Sequence, residues 1–506
     1  MPPLFSNTYM LKLYWVMIVK SLLKKDKLLL MGCVFIILVI VHFPLLTKNI
    51  IGADILLNNY YYHGYSWEIS LGRFGLYIVG IIKSFLSIPH LDLFISFILI
   101  SISVLLIIDL FGIKKTISKV FCVLLFTLSP IVSATLLFHY CAIGYFLAFL
   151  LGILSVYLFY KLKNKYLKYG SVILLVTISL SMYQAYFSSI ITFFIIYNLF
   201  LLVKNKINYV EAGKYIIVFL VGVILYFIMV KISQFVFHID MSSYSNANKI
   251  GLSTLLSFPS KIRDSYVLFY QFFFTNDIIK NTYLGNHIIN CLLLIVMLIS
   301  IIITMVHNRV SKLNFVIGMM IVIFLPIFLN SVVFVIPDSK LQLLMSASYL
   351  FVFLLIIILN EHKYIKYISY ILLLLLFRNY LVQDQASYMS LENSFAKYDT
   401  VIKSSILKNI NNLDKKFVVL GNISDKDNSD LVRIYDFNYG YICDENIFWD
   451  EYNLRRIGFE RFVYEYYGLE VSFADEKTYH YILNNRNTSD ILYTVNNVNV
   501  IDLDNY

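Results

Sequence analysis

Apolar segments of about 20 residues recur along most of this chain, and they restrict its fold more than any other feature. Each helical crossing of a bilayer needs about 20 predominantly apolar residues. With 59% hydrophobic and 14% charged residues and a mean hydropathy of +0.74, a soluble globular fold is excluded. We predict an all-α polytopic membrane protein with about eleven crossings. They lie at 28–46, 91–111, 120–138, 141–160, 168–183, 186–203, 215–235, 287–306, 314–336, 341–360 and 364–382.

The charges between these segments predict the orientation of the chain. Lysine and arginine are enriched in cytoplasmic loops. If the basic N-terminus is cytoplasmic, all the inner connections are basic, namely 112–119, 161–168, 204–214, 307–312 and 361–366. The outer turns at 139–140, 184–185 and 337–340 contain a single basic residue, Lys340. No small-residue cleavage site follows the first apolar run, so we predict an uncleaved helix there.

Charge also divides the chain into two predicted domains. Residues 1–382 carry 29 lysines and arginines against 11 acids, whereas residues 383–506 carry 12 against 20. The basic excess indicates contact with anionic lipid headgroups rather than nucleic acid. We therefore predict a transmembrane domain at 1–382, with long outer loops 47–90 and 236–286. A small α/β domain at 383–506 is predicted outside the cytoplasm, with a helix at 390–412 and strands at 417–422 and 495–503.

Two local patterns refine this topology. Residues 169–203 carry no charge over 35 positions, while both flanking segments are basic, so they should cross twice. The polar sequence SMYQAY (181–186) is then a turn, buried where protein or a wet cavity satisfies its backbone. Residues 73–88 are predicted to form an amphipathic helix in the membrane interface.

The first outer loop contains most of the candidate chemistry. Asp54 lies in the apolar sequence IIGADILL, where a carboxylate could act as a general base or cap the next helix. Arg73, between Gly72 and Gly75, has the planar fork that grips phosphate, although an interfacial arginine also reaches lipid headgroups. Both interpretations stay open for each residue.

Other polar residues are predicted on the same outer face. Trp67 offers a flat surface for a sugar ring and Glu68 could bind sugar hydroxyls, but Trp67 also fits an aromatic belt. The outer turns add a polar rim, formed by His139, Tyr140, Tyr183, Gln184 and Lys340. Taken one at a time, the rim residues fit a structural role better. The five cysteines lack paired spacing, and no nucleotide, acyl-transfer or zinc motif is present.

The loop sequence WEISLGRFGLYI, followed by SMYQAYF and MSASYLFVF, resembles a known family. It is similar to the polytopic inner-membrane glucosyltransferases of phage-type O-antigen serotype conversion. These belong to the GT-C-like membrane enzymes that use polyprenyl-phosphate sugars. The resemblance covers residues 28–380 in layout, with short motifs, and the tail matches no motif of the family.

The resemblance implies a donor, undecaprenyl-phosphate-glucose, and an O-antigen polysaccharide acceptor of lipopolysaccharide, in the periplasm of a bacterium. A bactoprenol glucosyltransferase and a flippase are implied as partners that supply the donor. Asp54 would be the base, either with Glu68 as a second acid or alone, and Arg73 would bind the donor phosphate with Lys340 or Arg263. The family class often shows two adjacent acids, whereas Ala53 precedes Asp54 here. No cofactor is implied, and a divalent ion on the phosphate is left open.

The mechanism that follows from these residue types is a single inverting displacement on the lipid-linked sugar. Two other classes of protein compete with it. A flippase or transporter of lipid-linked sugars usually carries ionisable groups along its midplane, whereas the acids here are nearly absent from the crossings. An O-antigen polymerase or ligase would also face outward, and the sequence separates it poorly from a glucosyltransferase.

Overall fold

The computed structural model describes most of the chain, and the regions it covers include both predicted domains. The described residues are 24–50, 52–58, 66–242, 258–275, 285–335, 342–359, 362–409, 413–423, 447–486 and 489–506. Lys340 and positions 59–65 of the first outer loop lie outside them.

Seven helices in the described residues are long and apolar enough to cross a membrane. They are Pro89–Leu110, Thr116–Leu137, His139–Lys161, Tyr186–Val203, Tyr209–Phe237, Asn286–His307 and Lys363–Lys408. The prediction of a mostly helical membrane protein is confirmed, but these seven spans are fewer than the eleven predicted. The other four predicted crossings coincide with helices that are shorter or more polar, namely Lys25–Val41, Lys165–Met182, Lys312–Ile323 and Leu350–Ile358.

Several shorter helices complete the membrane region. The first outer loop contains Phe43–Thr47, Ala53–Leu57, Ser66–Ser70 and Phe74–Ile82. The second outer loop, for which no helix was predicted, contains Phe258–Phe274. This helix packs against Leu325–Leu329 and Asn286–His307, and the ring of its Phe272 stacks on Tyr349 with centroids 3.8 Å apart. Its apolar aromatic face explains why it packs against the bundle.

The paired helices Lys165–Met182 and Tyr186–Val203 confirm the predicted turn in SMYQAY. Tyr183 and Gln184 in this turn are almost fully buried, with 3% and 1% exposure. Because the turn is buried, its polar groups need protein partners, and Gln184 has three that are described below.

The backbone is also irregular in the described residues 324–335 and 342–349. Helix Lys312–Ile323 is followed by Leu325–Leu329 and by short 3-10 turns at Ser331–Phe334, Leu343–Met345 and Ala347–Tyr349. Buried side chains satisfy this backbone: the hydroxyl of Ser188 accepts from the Val332 N–H at 2.7 Å, and the Ser348 hydroxyl donates to the Leu329 carbonyl at 2.8 Å. Such internal partners are what broken helices at membrane depth require.

Ion pairs join the basic ends of neighbouring helices. The carboxylate of Asp109 forms ion pairs with the ammonium groups of Lys27 at 2.6 Å and Lys161 at 3.1 Å. These pairs explain why an acid lies at the end of an apolar helix. Glu211 is paired in the same way with Lys168 and Lys214, at 2.9 Å each. The basic connections are therefore grouped, while their cytoplasmic orientation stays a prediction.

The tail is an α/β unit joined to the membrane region by one continuous helix. Helix Lys363–Lys408 passes through the predicted boundary at 382–383 without a break. Its buried residues up to Leu391 belong to the membrane core, and those from Phe395 belong to the tail core. The tail also contains helices Tyr452–Tyr467 and Glu476–Asn484. The division into domains at residue 382 stays a prediction.

The three strands of the tail form a mixed sheet in the order Phe417–Leu420, Val498–Asp502, Leu492–Val495. The first two pair in parallel, and the last two form an antiparallel hairpin. The single strand predicted at 495–503 is interrupted because Asn496 and Asn497 turn the chain with φ of 48° and 66°. Asparagine adopts such left-handed conformations more readily than most residues.

Candidate functional site

The helix Phe74–Ile82, which follows Arg73, packs between two helices of the membrane bundle. A Cβ on Gly75 would lie 2.4 Å from the Ser181 hydroxyl, and a Cβ on Gly144 would lie 2.3 Å from a methyl group of Leu76. These contacts are possible only because both positions lack a side chain. The close packing fixes the start of the helix, and therefore Arg73, relative to the span His139–Lys161 and the helix Lys165–Met182.

This helix is shorter than the predicted amphipathic segment 73–88. It ends at Ile82, and the chain turns through Ser84 and Phe85 with φ of 52° and 59°. The ammonium group of Lys83 donates to the carboxylate of Asp92 at 2.6 Å, and this bond joins the turn to the next span. Only one edge of the helix remains exposed, including Ile78 and Ile82. It is thus partly built into the bundle.

Arg73 is held by the buried turn in SMYQAY. Its Nε donates to the amide oxygen of Gln184 at 3.1 Å. The amide nitrogen of Gln184 donates to the Leu71 carbonyl at 2.5 Å and to the Tyr226 hydroxyl at 2.9 Å. That hydroxyl donates in turn to the Gly72 carbonyl at 3.3 Å. The backbone on the N-terminal side of Arg73 and one edge of its guanidinium are therefore fixed together.

An aromatic stack supports the guanidinium from below. Its central carbon lies 5.1 Å from the centroid of the Tyr183 ring, a cation–π distance. Tyr183 stacks on Tyr145 at 4.2 Å and meets Tyr186 edge-on at 5.2 Å. Because these rings are buried and packed on one another, they help to fix the position of the positive charge of Arg73.

Both candidate acids approach the first turn of the span His139–Lys161. The phenol of Tyr140 interacts electrostatically with Asp54 and with Glu68. The thiol of the neighbouring Cys141 interacts with Glu68 and with Arg73. Residues from three separate segments are thus brought together around one helix end.

Asp54 lies in a short helix, Ala53–Leu57, in the first turn. A carboxylate in the first turn is favoured by the partial positive charge of the helix N-terminus. The side chain of Asn58 donates to the Asp54 backbone carbonyl at 2.9 Å. Asp54 is half-buried, as is Glu68 in the helix Ser66–Ser70.

A second cation lies near this cluster. Lys83 donates to the buried carboxylate of Asp92 and, at 3.3 Å, to the Tyr140 backbone carbonyl. It also interacts electrostatically with Cys141 and with His139. The cluster therefore combines two carboxylates, from Asp54 and Glu68, with the cations of Arg73 and Lys83.

The remaining predicted residues are placed less centrally. Trp67 is 52% exposed beside Glu68, and His139 is buried with its ring 3.5 Å from the Ser87 hydroxyl. Arg263 is 79% exposed on Phe258–Phe274, where it lies 3.5 Å from Asp264. The contacts described for Arg263 do not join it to Arg73, and Lys340 lies outside the described residues. All the predicted roles in the site stay predictions.

Among the residues that the structure describes, no group of three or more His, Cys, Asp or Glu side chains could hold a metal ion. The arrangement of Asp54, Glu68 and Arg73 instead suits proton transfer beside an anionic group. A carboxylate can take a proton from a hydroxyl, while a fixed guanidinium stabilises negative charge.

Sequence reasoning missed several residues of this site. Tyr226 lies in a 29-residue apolar helix, where a tyrosine is ordinary, so no local sequence pattern distinguishes it. Lys83 was assigned only to the interface, although a lysine nine residues before an aspartate is a visible signal. Gln184 was predicted as part of the polar rim, without these partners. In the structure it binds Arg73 and the loop backbone.

Comparison with known protein families matches residues 54–360 to the family described as glucosyl transferase GtrII. The match covers more than half of the chain and begins at Asp54. The chain belongs to the glucosyl transferase GtrII family. Membership in this family supports a glycosyltransferase activity and agrees with the resemblance in the sequence. The comparisons with curated proteins and with solved structures give no match.

Proposed function

We propose that this GtrII-family protein moves glucose from undecaprenyl-phosphate-glucose to an O-antigen polysaccharide outside the bacterial inner membrane. The observation that carries the proposal is that Asp54, Glu68 and Arg73 all interact electrostatically with the first turn of His139–Lys161, in a chain of this family. An extracytoplasmic site has no supply of cytosolic nucleotide sugars, which favours a lipid-carried donor. The apolar spans around the site give that lipid access from the bilayer.

The proposed reaction is a single displacement at the anomeric carbon of glucose. An acceptor hydroxyl attacks that carbon while the bond to the lipid phosphate oxygen breaks, so the configuration inverts. Asp54 takes the hydroxyl proton, and the electron pair of the broken bond goes to undecaprenyl phosphate. Glu68 and Trp67 would bind the sugars.

Arg73 would stabilise the charge that develops on the departing phosphate. Its Nε donates to Gln184 and its central carbon lies over the Tyr183 ring, so little reorientation is needed during the reaction. Lys340 or Arg263 would assist Arg73 in stabilising this charge. A cation fixed before the substrate binds stabilises the transition state more effectively than a mobile one.

The proposal is tested with full-length protein in membrane vesicles, undecaprenyl-phosphate-[14C]glucose and isolated O-antigen. Radiolabelled glucose should enter the polysaccharide without a change in its chain length. Longer chains would instead indicate a polymerase. Movement of the labelled lipid between leaflets without transfer to the polymer would indicate a flippase.

A further inference from the structure

The short helix Ala53–Leu57 that carries Asp54 packs into the core of the tail. Ile55 and Leu56 are 1% and 0% exposed, and they belong to the hydrophobic cluster formed by residues from Phe395 onward. Every other described member of that cluster comes from the tail. The candidate base is therefore attached to a different core from Arg73, whose helix packs in the membrane bundle.

The main partner of this helix is Tyr452–Tyr467 in the tail. Leu56 lies beside Gly458, where a Cβ would be 3.7 Å from a Leu56 methyl group. A guanidinium nitrogen of Arg461 donates to the backbone carbonyl of Leu57. This carbonyl is at the C-terminal end of the Asp54 helix, which lacks intrahelical donors and favours a cation.

A helix of five residues does not form by itself, because nucleation fixes the dihedral angles of several residues for a single hydrogen bond. Its position must therefore come from tertiary contacts. The chain before it is also tied to the long helix Lys363–Lys408, since Lys48 pairs with Glu392 at 2.8 Å and Gln385 donates to the Val41 carbonyl at 2.8 Å. Contacts on both sides of Asp54 come from residues after position 360, beyond the family match.

We propose that the tail is a structural part of the active site, with Arg461 as the positioning residue for Asp54. This inference rests on the proposed function, in which Asp54 is the base. The tail brings the base to the acceptor, whereas the membrane bundle holds Arg73 for the donor phosphate. Loss of the Arg461 contact should therefore impair the chemical step and leave donor binding intact.

Kinetics of the full-length protein test the positioning role. In Arg461→Met, we expect kcat to fall about 10- to 100-fold, the size of effect that a misplacement near 1 Å produces. The KM for undecaprenyl-phosphate-glucose should change less than about twofold, because KM is unaffected when only transition-state interactions are lost. Arg461→Lys should recover part of kcat, since its ammonium still donates to the Leu57 carbonyl. Arg456→Met is the matched control from the same helix, and none of the hydrogen bonds of the described residues joins it to Ala53–Leu57.

A second measurement follows the docking itself without any need for activity. In a Cys443→Ser background, Leu56→Cys should react slowly with a membrane-impermeant maleimide, because Leu56 is fully buried. Tyr464→Cys is the exposed control, since Tyr464 is 61% exposed. Adding Arg461→Met should make Leu56→Cys react faster. Equal labelling of Leu56→Cys and Tyr464→Cys would overturn the docking, and equal kcat for Arg461→Met and Arg456→Met would overturn the positioning role.

These two measurements separate the inference from the function on which it rests. If Asp54→Asn retains full transfer, the proposed base is wrong and the positioning role falls with it. The maleimide result would then still report whether the helix docks on the tail. If transfer depends on Asp54 but Leu56→Cys labels freely, the function stands and the role of the tail is overturned.

Discussion

The Nε of Arg73 donates a hydrogen bond to the amide oxygen of Gln184 at 3.1 Å, across 111 positions of the chain. Gln184 also binds the backbone carbonyl of Leu71, two residues before the arginine. One buried amide therefore fixes both the loop and the side chain that the proposed mechanism needs. This geometry links the fold of the spans directly to the chemistry of the site.

The first prediction concerns this pair of residues. Arg73→Lys should lower the transfer rate by about 10²- to 10³-fold, because lysine loses the planar fork and the bond to Gln184. Gln184→Leu should lower the rate less and leave Arg73 poorly oriented. A double-mutant cycle on initial rates should give a coupling of about 0.5–3 kcal/mol. Additive effects of the two substitutions would contradict the proposed link.

The second prediction concerns the packing of Gly75. Gly75→Ala should destabilise the protein by about 1–3 kcal/mol, because its Cβ would also lie 3.0 Å from the Ser181 backbone. Gly32→Ala is the control, since nothing lies within 4 Å of a Cβ there and alanine favours the helix by about 1 kcal/mol. Thermal unfolding in detergent measures both. A Gly75→Ala protein as stable as Gly32→Ala would contradict the close approach.

The third prediction concerns the ion pair between Lys83 and Asp92, whose side chains are 15% and 2% exposed. Lys83→Met should destabilise the protein by about 3–5 kcal/mol, because it leaves a buried carboxylate without its cation. The double variant Lys83→Met/Asp92→Asn should recover much of that loss. Thermal unfolding of the three proteins checks this. Equal stability of the single and double variants would show that Asp92 does not need Lys83.

The sequence predicted the mostly helical, membrane-spanning character of the chain, because apolar length is a local property. Helix boundaries such as Met182 and Tyr186, and the turn between them, could be read from one polar break. The helix Phe258–Phe274 could not be read from the sequence, because three charges and interspersed tyrosines give it the composition of a loop. Its apolar face can be recognised only in the structure, where it packs against Leu325–Leu329.

The candidate site was predictable only in part. Asp54, Glu68 and Arg73 are conspicuous as polar residues in an apolar sequence. Their mutual placement depends on contacts between distant segments, such as Gln184 with Arg73, which no spacing rule encodes. The packing of Leu56 in the core of the tail could not be predicted either, since an apolar residue in a membrane protein is expected to face lipid or the bundle.

The fourth prediction concerns pH and the tail. Burial opposes ionisation of Asp504, but hydrogen bonds from Arg486 and from the Asn422 backbone outweigh it and lower the pKa of this carboxyl below its ordinary value of 3.8. The carboxylate therefore stabilises the tail fully above pH 3.8, and this contribution is lost as pH falls through the folded-state pKa. Because the side chain is 49% exposed, solvent screening limits the contribution to about 1 kcal/mol or less.

Asp504→Asn should therefore loosen the tail at neutral pH and differ less from the wild type near pH 3. Hydrogen exchange of the strand Val498–Asp502 in the full-length chain, corrected for the intrinsic rate, measures this difference. Arg486→Met should show the same trend, since it removes the partner. A difference between wild type and Asp504→Asn that grows toward low pH would contradict the sign of the shift.

The most direct test of the central claim is the structure of the surface polysaccharide made by cells with wild-type protein, Asp54→Asn or Asp240→Asn. Asp240 is an exposed acid in the second outer loop and serves as the matched control. At equal protein levels, NMR should show glucose branches with inverted anomeric configuration for the wild type and Asp240→Asn, and none for Asp54→Asn. Branches that persist in Asp54→Asn would contradict the assignment of Asp54 as the base.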